Sequence, residues 1–293
     1  MMGGDVQEPR VGVIILHYNR PDLATSCLSS LKEQTYPMQQ VLMVDNGSEE
    51  RLGLSIEDLV PAPHILHLDE NLGFAGGVNA GLNCLREQGE VDFVWLLNND
   101  VVCQPEVLTR LVEMLQEHSK MGAVSAVLEE RQRDGRPVFV SGGKFPLPMM
   151  IPFVSKPGEA CDYLCGACML LRLETIDQVG PLDENYFFFF EDVDWCFRAR
   201  RCGWELGVCE AGRVFHQQSS TIGAHHRLRA KYYRRSYIRF LRSYSKAPRV
   251  LSVFTAFYRL CADGVLGRWQ ACMGTWEGFW EGWREEVTDL SSK

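Results

Sequence analysis

Residues 11–48 have the sequence VGVIILHYNRPDLATSCLSSLKEQTYPMQQVLMVDNGS, and this stretch decides the fold class. Its first eight residues are mostly apolar and predict a buried strand. Pro21 and Asp22 then suit the start of a helix. One face of that helix is apolar, formed by Leu23, Cys27, Leu28 and Leu31. A second apolar run ends abruptly in the turn residues 45–48. Strand, helix and strand in this order are typical of a parallel sheet covered by helices.

The alternation continues beyond this unit. Further strands are predicted at 64–68, 91–102 and 121–129, and further helices at 76–88 and 104–118. The sequence therefore predicts an α/β protein with a mainly parallel sheet flanked by helices. Ligands of such sheets bind beyond the carboxyl ends of the strands, so the polar residues that follow each apolar run are candidates.

Four polar clusters occupy these positions: Asn19 and Arg20; Asp45 and Asn46; the segment Asn71–Asn79; and Asn98, Asn99 and Asp100. One cluster alone is explained by turn chemistry, but four at one rim favour a binding cleft.

Two of the clusters have a chemical interpretation. The segment NLGFAGGVNAG (71–81) contains glycines that let a ligand approach the backbone, and a helix beginning near Gly77 would point N–H groups at it. Tight packing of the helix on the sheet explains the glycines equally well. The segment WLLNNDVV (95–102) ends a strand in a lone acid, which is typical of a divalent cation shared with a diphosphate. An Asx-type turn is the alternative.

Composition narrows the class of protein. The 293 residues are 46% hydrophobic and 23% charged, and the mean hydropathy is −0.14, as in ordinary folded soluble proteins. The start lacks the apolar core of a signal peptide, and no run approaches the roughly 18–20 apolar residues of a membrane span, so a cytoplasmic location is predicted. The 11 cysteines fit reduced core thiols. Cys161, Cys165 and Cys168 lack a second ligand pair at zinc-finger spacing, which favours core packing over a zinc site.

Charge is distributed unevenly along the chain. The net charge is −8, yet no acidic residue lies between Glu210 and Asp263, where eleven Lys and Arg residues are found. Such a block is typical of a solvated or anion-facing surface, so phosphate and anionic lipid are open as partners. The acidity of the remaining chain disfavours nucleic acid. The tryptophan-rich segment after Arg249 predicts either an interfacial membrane segment or helices packed on the domain or on another subunit.

Two further stretches leave alternatives open. Residues 131–162 are rich in Gly and Pro and predict a lid, an acceptor loop or an inert loop. Residues 186–204 have the sequence YFFFFEDVDWCFRARRCGW, in which an aromatic run predicts a buried strand. The carboxylates that follow, at Glu191, Asp192 and Asp194, indicate either a helix start or a general base at the mouth of a pocket.

Seven motifs in order carry a resemblance to a known family: VIILHYN, VDNGS, NLGFAGG, LLNND, GACMLLR, FFFFEDVDWCFR and VFHQQSSTIG. Residues 11–249 thereby resemble the family-2 glycosyltransferases of the GT-A fold, and most of all their rhamnosyltransferase-like branch. The resemblance implies a catalytic domain at 1–225, with a donor-binding half at 11–125 and an acceptor and base half at 126–225. A basic, aromatic helical region would follow at 226–293.

The resemblance also implies roles for individual residues. Asp45 would contact the nucleobase or ribose of a nucleotide-sugar donor. Asp100 matches the final acid of the family's DxD motif and would bind Mg²⁺ or Mn²⁺ together with His216. Asn98 at the first position of that motif is a departure that leaves one fewer carboxylate. The remaining donor pocket would comprise Asn19, Arg20, Asn46, Asn71, Gly73, Phe74, Gly76, Gly77, Asn79, Asn98 and Asn99.

In the acceptor half, the resemblance implies that Asp192 is the catalytic base that takes the proton of an acceptor hydroxyl. Glu191, as a second catalytic residue, would orient the base or bind acceptor hydroxyls. Asp194 would orient the base or bind the acceptor, and Trp195 would stack on a sugar.

The function expected from the sequence is an inverting, metal-dependent glycosyltransferase with a dTDP- or UDP-sugar donor. The acceptor would be a polysaccharide or a lipid-linked glycan at the inner face of the cell membrane, and a homo-oligomer is one arrangement open to the chain. One alternative is a nucleotidyltransferase, which needs a loop rich in Gly and Arg where this chain has HYNRPD. The other is a catalytically inactive binding or scaffold subunit, which Asn98 keeps open.

Overall fold

The computed structural model describes residues 8–49, 63–131, 136–146, 150–156, 159–216 and 226–285. Within these ranges the strands are β1 Val11–His17, β2 Gln40–Asn46, β3 Pro63–Leu68, β4 Phe93–Asn98, β5 Val101–Cys103, β6 Met121–Arg131, β7 Pro137–Phe139, β8 Gly142–Lys144, β9 Phe153–Val154, β10 Tyr163–Leu164, β11 Cys168–Arg172 and β12 Glu205–His216. The helices are α1 Pro21–Lys32, α2 Gly73–Gln88, α3 Val107–Glu117, α4 Leu173–Val179, α5 Glu191–Arg201, α6 His226–Tyr244, α7 Pro248–Val265 and α8 Trp269–Arg284.

One large sheet organises the molecule, with strand order β3-β2-β1-β4-β11-β6-β12-β5, and β7 pairs with β6. Strands β3, β2, β1 and β4 are parallel, as are β6 and β12, while β11, β5 and β7 run antiparallel to their neighbours. The parallel half is apolar on both faces because helices cover both. Val13 and Ile15 join the core with α1 and α3, whereas Ile14 faces α2.

The predicted strand at 91–102 is divided in two. It turns at Asn99 and Asp100, and β5 then leaves β4 to pair with β12. The turn chemistry of two amides and an acid therefore outweighs the apolar residues around it. The boundary expected at 125/126 falls inside β6, so both proposed halves share this sheet.

The segment predicted as a loop contains β7, β8 and β9, and β8 and β9 form a small sheet of order β10-β8-β9 with the strand that follows the segment. Residues 132–135, 147–149 and 157–158 of that segment lie outside the described residues. Cys161 and Cys168 pack into cores on opposite faces of the main sheet. In the part of the chain that the structure describes, no three His, Cys, Asp or Glu residues are grouped to hold a metal ion.

The aromatic run 187–190 is not a strand, so that prediction is wrong. Phe189 and Phe190 have φ of 68° and 71°, a left-handed conformation that costs a bulky residue about 1–3 kcal/mol and needs support from its surroundings. Ser236 of α6 donates a hydrogen bond to the Phe188 carbonyl at 2.9 Å. The rings of Phe189 and Phe190 pack on Tyr233, with centroids 5.6 and 5.3 Å away.

The other side of this run rests on the start of α2. The Phe74 N–H donates to the Phe187 carbonyl at 2.9 Å. Gly73 has φ of +75°, and a Cβ there would lie 2.2 Å from the Phe187 oxygen. Only glycine therefore fits this position. The aromatic run is thus held between α2 and α6.

The C-terminal helices pack on the same chain. Phe240 of α6 lies in one aromatic cluster with Tyr186 and Phe190. Helix α8 packs on α6 through three glycines one turn apart, where a Cβ at Gly274 or Gly278 would meet an α6 carbonyl oxygen at 2.0 or 2.1 Å. The glycines of this segment are therefore contact residues within a helix.

The basic block is mostly neutralised inside the molecule. Cations on one side of α6 pair with acids of α8 and the residue after it, namely Arg227 with Glu277, Lys231 with Glu281, and Arg235 and Arg239 with Glu285. The block is therefore not a free anion-facing surface along its whole length. None of the helices found in the described ranges is long and apolar enough to span a membrane.

Candidate active site

The carboxyl ends of three parallel strands form the first part of the site. The register places His17 of β1, Asp45 of β2 and His67 of β3 side by side. Asp45 is buried, and its Oδ2 lies 3.0 Å from His67 Nδ1, while the Ser48 N–H donates to its Oδ1 at 3.2 Å. Burial raises the pKa of Asp45, but the hydrogen bonds from Ser48 and His67 outweigh burial and lower it. Asp45 is therefore an ionised carboxylate, and its contact with a nucleobase or ribose stays a prediction.

His67 and His17 were not among the residues predicted for the site. His67 is 36% exposed beside Asp45, so it presents a polar edge to the cleft. His17 is buried, and burial lowers its pKa to about 4, which keeps the ring neutral. The Asn99 amide donates to His17 Nδ1 at 2.9 Å, so the ring proton lies on Nε2. Both histidines lie at or near the end of an apolar strand, and this position is the sequence signal that points to them.

Asn19 and Arg20 connect the rim. Asn19 has φ of 53°, its N–H donates to Ser48 Oγ at 3.0 Å, and its Oδ1 accepts from the Glu49 N–H at 2.9 Å. These bonds join the loops after β1 and β2. Arg20 pairs with Asp22 at 2.8 Å, and this hydrogen bond, with a smaller contribution from Asp100, raises the Arg20 pKa. Arg20 thus supplies a positive charge next to Asp100.

Several predicted donor-pocket residues are engaged inside the protein. Asn79 is buried and bonds to Leu182 and Glu184, and Asn46 bonds to Asn71 and to the backbone at 72–73. The Asn71 side chain also accepts from the Gly73 N–H. The side chains of Asn46 and Asn79 therefore position the segment and do not contact the donor directly, which corrects the prediction. Their hydrogen-bonding groups are already used inside the protein.

The glycines of this segment serve packing. A Cβ at Gly77 would meet Leu16 at 2.5 Å, and a Cβ at Gly76 would meet Leu72 at 2.7 Å. The helix also begins at Gly73 rather than near Gly77. Phe74 is buried, with its ring close to Gly166. These contacts support the packing alternative for the glycines, and the approach of a donor to this backbone stays a prediction.

The predicted metal ligands lie together. β5 runs antiparallel to β12 with Val101 opposite His216, which brings the preceding Asp100 to the histidine. Asp100 Oδ1 lies 3.2 Å from His216 Nε2, and neither atom has a well-aligned hydrogen-bond partner among the described residues. On the other side of the ring, Glu130 Oε1 lies 2.6 Å from Nδ1. Sequence reasoning missed Glu130, which β6 places next to His216 in register.

These residues fit a divalent cation. A carboxylate oxygen and an imidazole nitrogen face each other, both buried and unsatisfied, and Glu130 would orient the ring as an outer carboxylate. Burial lowers the pKa of His216, but Asp100 and Glu130 outweigh burial and raise it to about 9. A cation would therefore replace a proton between Asp100 and His216. Two protein ligands suffice when diphosphate oxygens and water fill the other positions. Residues 217–223 of the His216 motif lie outside the described part of the chain.

Asp192 lies in the first turn of α5, where its side chain is mostly buried but keeps some contact with solvent. Its Oδ2 accepts from the Gly166 N–H at 2.8 Å, and its Oδ1 accepts from the Val193 N–H at 2.7 Å. Burial of the carboxyl raises the pKa of Asp192 despite these bonds. A fixed, accessible carboxylate with a raised pKa is suited to accept a proton near neutral pH.

Glu191 differs from Asp192 in its surroundings. It is buried, its Oε2 has no hydrogen-bond partner among the described residues, and burial followed by the charge of Asp192 raises its pKa well above the usual range. Its catalytic role stays a prediction, and it would act as a neutral acid.

Asp194 and Trp195 do not face the cleft. Asp194 is fully buried, pairs with Arg198 at 2.8 Å and accepts from the Tyr244 hydroxyl at 2.7 Å. Trp195 is 2% exposed, and its Nε1 donates to the Gly180 carbonyl at 3.1 Å. The predicted acceptor contacts of both residues are wrong, because the helical period that exposes Asp192 turns these two side chains into the core.

A short loop joins the base to the metal ligands. Gly166 bonds to Asp192, and the carbonyl of the next residue, Ala167, accepts from the Asn98 N–H at 3.1 Å. The Cys165 side chain in this loop is partly exposed, and the desolvation of its thiol, then the charges of Asp192 and Glu130, raise its pKa. The loop therefore couples the position of Asp192 to the turn that presents Asp100.

Gly166→Ala is expected to lower kcat by about 10- to 100-fold, because a misplacement of a reacting group by about 1 Å has costs of that order. The added Cβ would lie 3.2 Å from Asp192 Cβ and 3.3 Å from both Asp192 Oδ2 and Phe74 Cζ. Gly264→Ala, whose Cβ meets no atom within 4 Å, is the matched control and should retain normal kcat. Steady-state kinetics on both variants checks this, and an unchanged kcat in Gly166→Ala would contradict the placement of the base.

Comparison with known proteins identifies the chain. The model of the family described as Glycosyl transferase family 2 matches residues 12–180, more than half of the sequence. The chain belongs to glycosyltransferase family 2. The matched region contains Asp100 and the Gly166 loop, and it ends before Asp192 and His216.

Relatives of this glycosyltransferase are named for sugar transfer. This chain is 28% identical over 223 residues to N-acetylglucosaminyl-diphospho-decaprenol L-rhamnosyltransferase of Mycobacterium tuberculosis. The aligned region covers 67% of this chain and 72% of the relative. The chain is 26% identical over 219 residues to the low-salt glycan biosynthesis hexosyltransferase Agl10 of Haloferax volcanii, covering 71% of this chain and 67% of the relative.

Solved glycosyltransferases share the fold. The mannosyltransferase PcManGT of Pyrobaculum calidifontis, in complex with GDP-Man and Mn²⁺, superposes with a TM-score of 0.61 at 18% identity, covering 96% of this chain and 89% of that one. GalNAc-T7 with UDP, GalNAc and Mn²⁺ gives 0.64 at 13% identity, covering 88% of this chain and 51% of that one. The predicted GT-A fold class is confirmed, and so is the expected class of enzyme.

Proposed function

We propose that this glycosyltransferase is inverting and metal-dependent, and that it moves a sugar from a nucleotide-diphosphate sugar to a hydroxyl of a polysaccharide or lipid-linked acceptor. One observation carries the proposal. The Asp100–His216 pair and the Asp192 carboxylate flank one loop at the carboxyl end of the sheet, so a cation site and a base serve the same cleft. This arrangement suits transfer of a group away from a diphosphate.

The donor would lie across the ends of β1, β2 and β4. Its diphosphate would bind next to Asp100 and Arg20, where a Mg²⁺ or Mn²⁺ ion would supply charge stabilisation for the leaving group. Its nucleoside would approach the row of His17, Asp45 and His67. The solved neighbours hold UDP or GDP-Man with Mn²⁺, which supports a nucleotide donor of this kind. We propose a dTDP- or UDP-sugar, with rhamnose as one option.

Asp192 would accept the proton of the acceptor hydroxyl as that oxygen attacks the anomeric carbon. The new bond forms on the face opposite the departing nucleoside diphosphate, and the configuration at that carbon inverts. Two backbone N–H groups fix the carboxylate, so little of its freedom is lost on reaching the reactive geometry. The partial burial that raises its pKa makes it a stronger base than an ordinary aspartate.

A lipid-linked acceptor is supported by a relative. The name of the Mycobacterium tuberculosis protein specifies a diphospho-decaprenol acceptor and an L-rhamnosyl group. We infer from this a role in polysaccharide biosynthesis for the cell envelope. The reaction would take place in the cytoplasm, at the inner face of the cell membrane. Assembly into a homo-oligomer stays a prediction.

Thermal unfolding with UDP, dTDP or GDP, each with and without Mn²⁺, tests this proposal. At a concentration of 100 times Kd, a ligand stabilises the native state by about 2.7 kcal/mol, and the expected rise in Tm is about 5 °C or more. The expected result is a rise with one nucleotide that requires Mn²⁺. If none of the three nucleotides raises Tm, either with or without Mn²⁺, the proposal is overturned and an inactive scaffold subunit is favoured.

A further inference from the structure

The outer side of α7 and α8 carries a continuous set of exposed apolar side chains. We call it the apolar surface: Val250, Val253, Phe254, Phe257, Tyr258, Val265, Leu266, Trp269, Met273, Trp276 and Trp280. Exposure of these side chains ranges from 37% for Trp280 to 88% for Val265. The turn that joins the two helices is its most exposed part. A monomeric soluble protein rarely exposes so large an apolar patch without a binding function.

Helix α7 is amphipathic in the reverse sense. The buried residues of α7 are Ser252, Thr255, Ala256 and Asp263, with Leu251 partly buried against the aromatic cluster, while the outer side carries aromatic and branched apolar residues. Thr255 even accepts a hydrogen bond from buried Arg234 at 2.9 Å. A helix that faced water would place its apolar stripe inward. The outward stripe therefore indicates an apolar medium outside α7.

Helix α8 repeats this arrangement by a different route. Gly274, Gly278 and Gly282 occupy the side that contacts α6, where no side chain fits. Glu277 and Glu281 turn toward the cations of α6. The bulky residues are left on the outer side, where three tryptophans and a methionine recur at helical spacing.

The charge around the α7 part of the apolar surface and the turn after it is positive, whereas Glu277 and Glu281 beside Trp276 and Trp280 pair with Arg227 and Lys231. Between residues 246 and 276 the sequence holds four cations and a single acid, Asp263. Asp263 is buried, with Arg259 at 2.8 Å and Arg268 at 3.7 Å. Lys246 and Arg249 are exposed at the start of α7. An apolar centre with a rim of cations is complementary to an anionic lipid surface.

We propose that the apolar surface docks on an anionic phospholipid bilayer, with the turn Val265–Trp269 inserted at the level of the headgroups. Tryptophan and tyrosine prefer this level because they are apolar with one polar atom. A second copy of the chain suits the surface less well, since a twofold contact would bring the same cation-bearing patch of both copies together and double its positive charge. The inference does not depend on the proposed reaction, because docking involves none of the catalytic residues.

Co-sedimentation of the full chain with vesicles tests the proposal. Vesicles of phosphatidylglycerol and phosphatidylcholine should bind more tightly than vesicles of phosphatidylcholine alone, and added salt should weaken binding. Brominated lipids should quench tryptophan fluorescence, because four of the seven tryptophans lie in α8.

Variants separate the apolar and the ionic contributions. Phe257→Gln with Trp269→Gln removes two side chains that are 67% and 68% exposed, so the fold should persist while affinity falls by about 100-fold or more. Leu72→Gln, which removes an exposed apolar side chain elsewhere, should bind as the wild type. Lys246→Gln with Arg249→Gln should lose about 30-fold on anionic vesicles. Lys32→Gln with Lys120→Gln is the control: it lowers the net charge by the same amount, away from the apolar surface, and should lose little affinity for the vesicles.

Two results would overturn the proposal. One is vesicle binding that the Phe257 and Trp269 substitutions leave unchanged. The other is a stable dimer in sedimentation equilibrium that these substitutions dissociate, in a protein that binds no vesicles. The second result would assign the surface to another copy of the chain.

Discussion

Asp192→Asn is expected to lower kcat by about 10²- to 10⁴-fold, the usual contribution of a positioned general base. The amide cannot take the acceptor proton, yet it has nearly the same size and can still accept one of the two backbone hydrogen bonds. Donor affinity should stay within about twofold, because a change that removes only transition-state interactions lowers kcat without weakening binding. Kinetics and calorimetric titration of nucleotide together measure both effects.

A pH profile strengthens this test. The base acts when deprotonated, and burial raises the pKa of Asp192, so kcat should fall on acidification at a pH above the range of an ordinary aspartate. The residual activity of Asp192→Asn should lack this acidic limb. Asp177→Asn is a suitable control, since Asp177 is an exposed carboxylate that pairs with Arg86. Normal turnover in Asp192→Asn would show that another group is the base.

Asp100→Ala is expected to abolish metal-dependent binding of the donor nucleotide. The substitution removes Asp100 Oδ1, which faces His216 Nε2 at 3.2 Å. His216 alone cannot hold the cation next to a diphosphate. The loss should appear in the Mn²⁺-dependent part of nucleotide stabilisation. Weak binding without metal should remain, since Arg20 and the strand ends are unchanged.

Glu130→Gln tests the outer carboxylate of the same site. Removing the charge that orients His216 should lower Mn²⁺ affinity by about 10- to 100-fold, which is typical of outer-shell partners. Glu129→Gln provides a matched control, because the adjacent Glu129 pairs with Arg213 instead. Calorimetry of Mn²⁺ in the presence of nucleotide compares the two. Equal affinity in both variants would remove Glu130 from the site.

The sequence predicts the position of a residue well where that position depends only on the order of strands and helices along the chain. Polar residues that follow β1, β2 and β4 lie at one edge of the sheet because parallel strands end together, and this placed Asp45 and Asp100 correctly at the rim. The pairing of β5 with β12 could not be predicted, because β5 is only three residues long and its sequence does not indicate which distant strand it pairs with. Glu130 was missed for the same reason: it meets His216 only through the register of β6 and β12.

Prediction failed most clearly at 187–195. Four phenylalanines have strand propensity, but tertiary packing on Tyr233 and Ser236 forces two of them into a left-handed conformation. Trp195 and Asp194 were assigned to the acceptor by their proximity in sequence to Asp192. Their orientation depends on the starting point of α5, which the aromatic run sets.

The support of the aromatic run by α6 also has a consequence for biosynthesis. Residues 226–244 are made after every strand of the main sheet and after Asp192 itself. While they are still inside the ribosome, the strand ends proposed to bind the donor can already form, but the segment before Asp192 lacks the partner that holds it. We therefore expect a nascent chain of this length to bind nucleotide without transferring sugar. Completion of the chain would act as the step that switches the enzyme on.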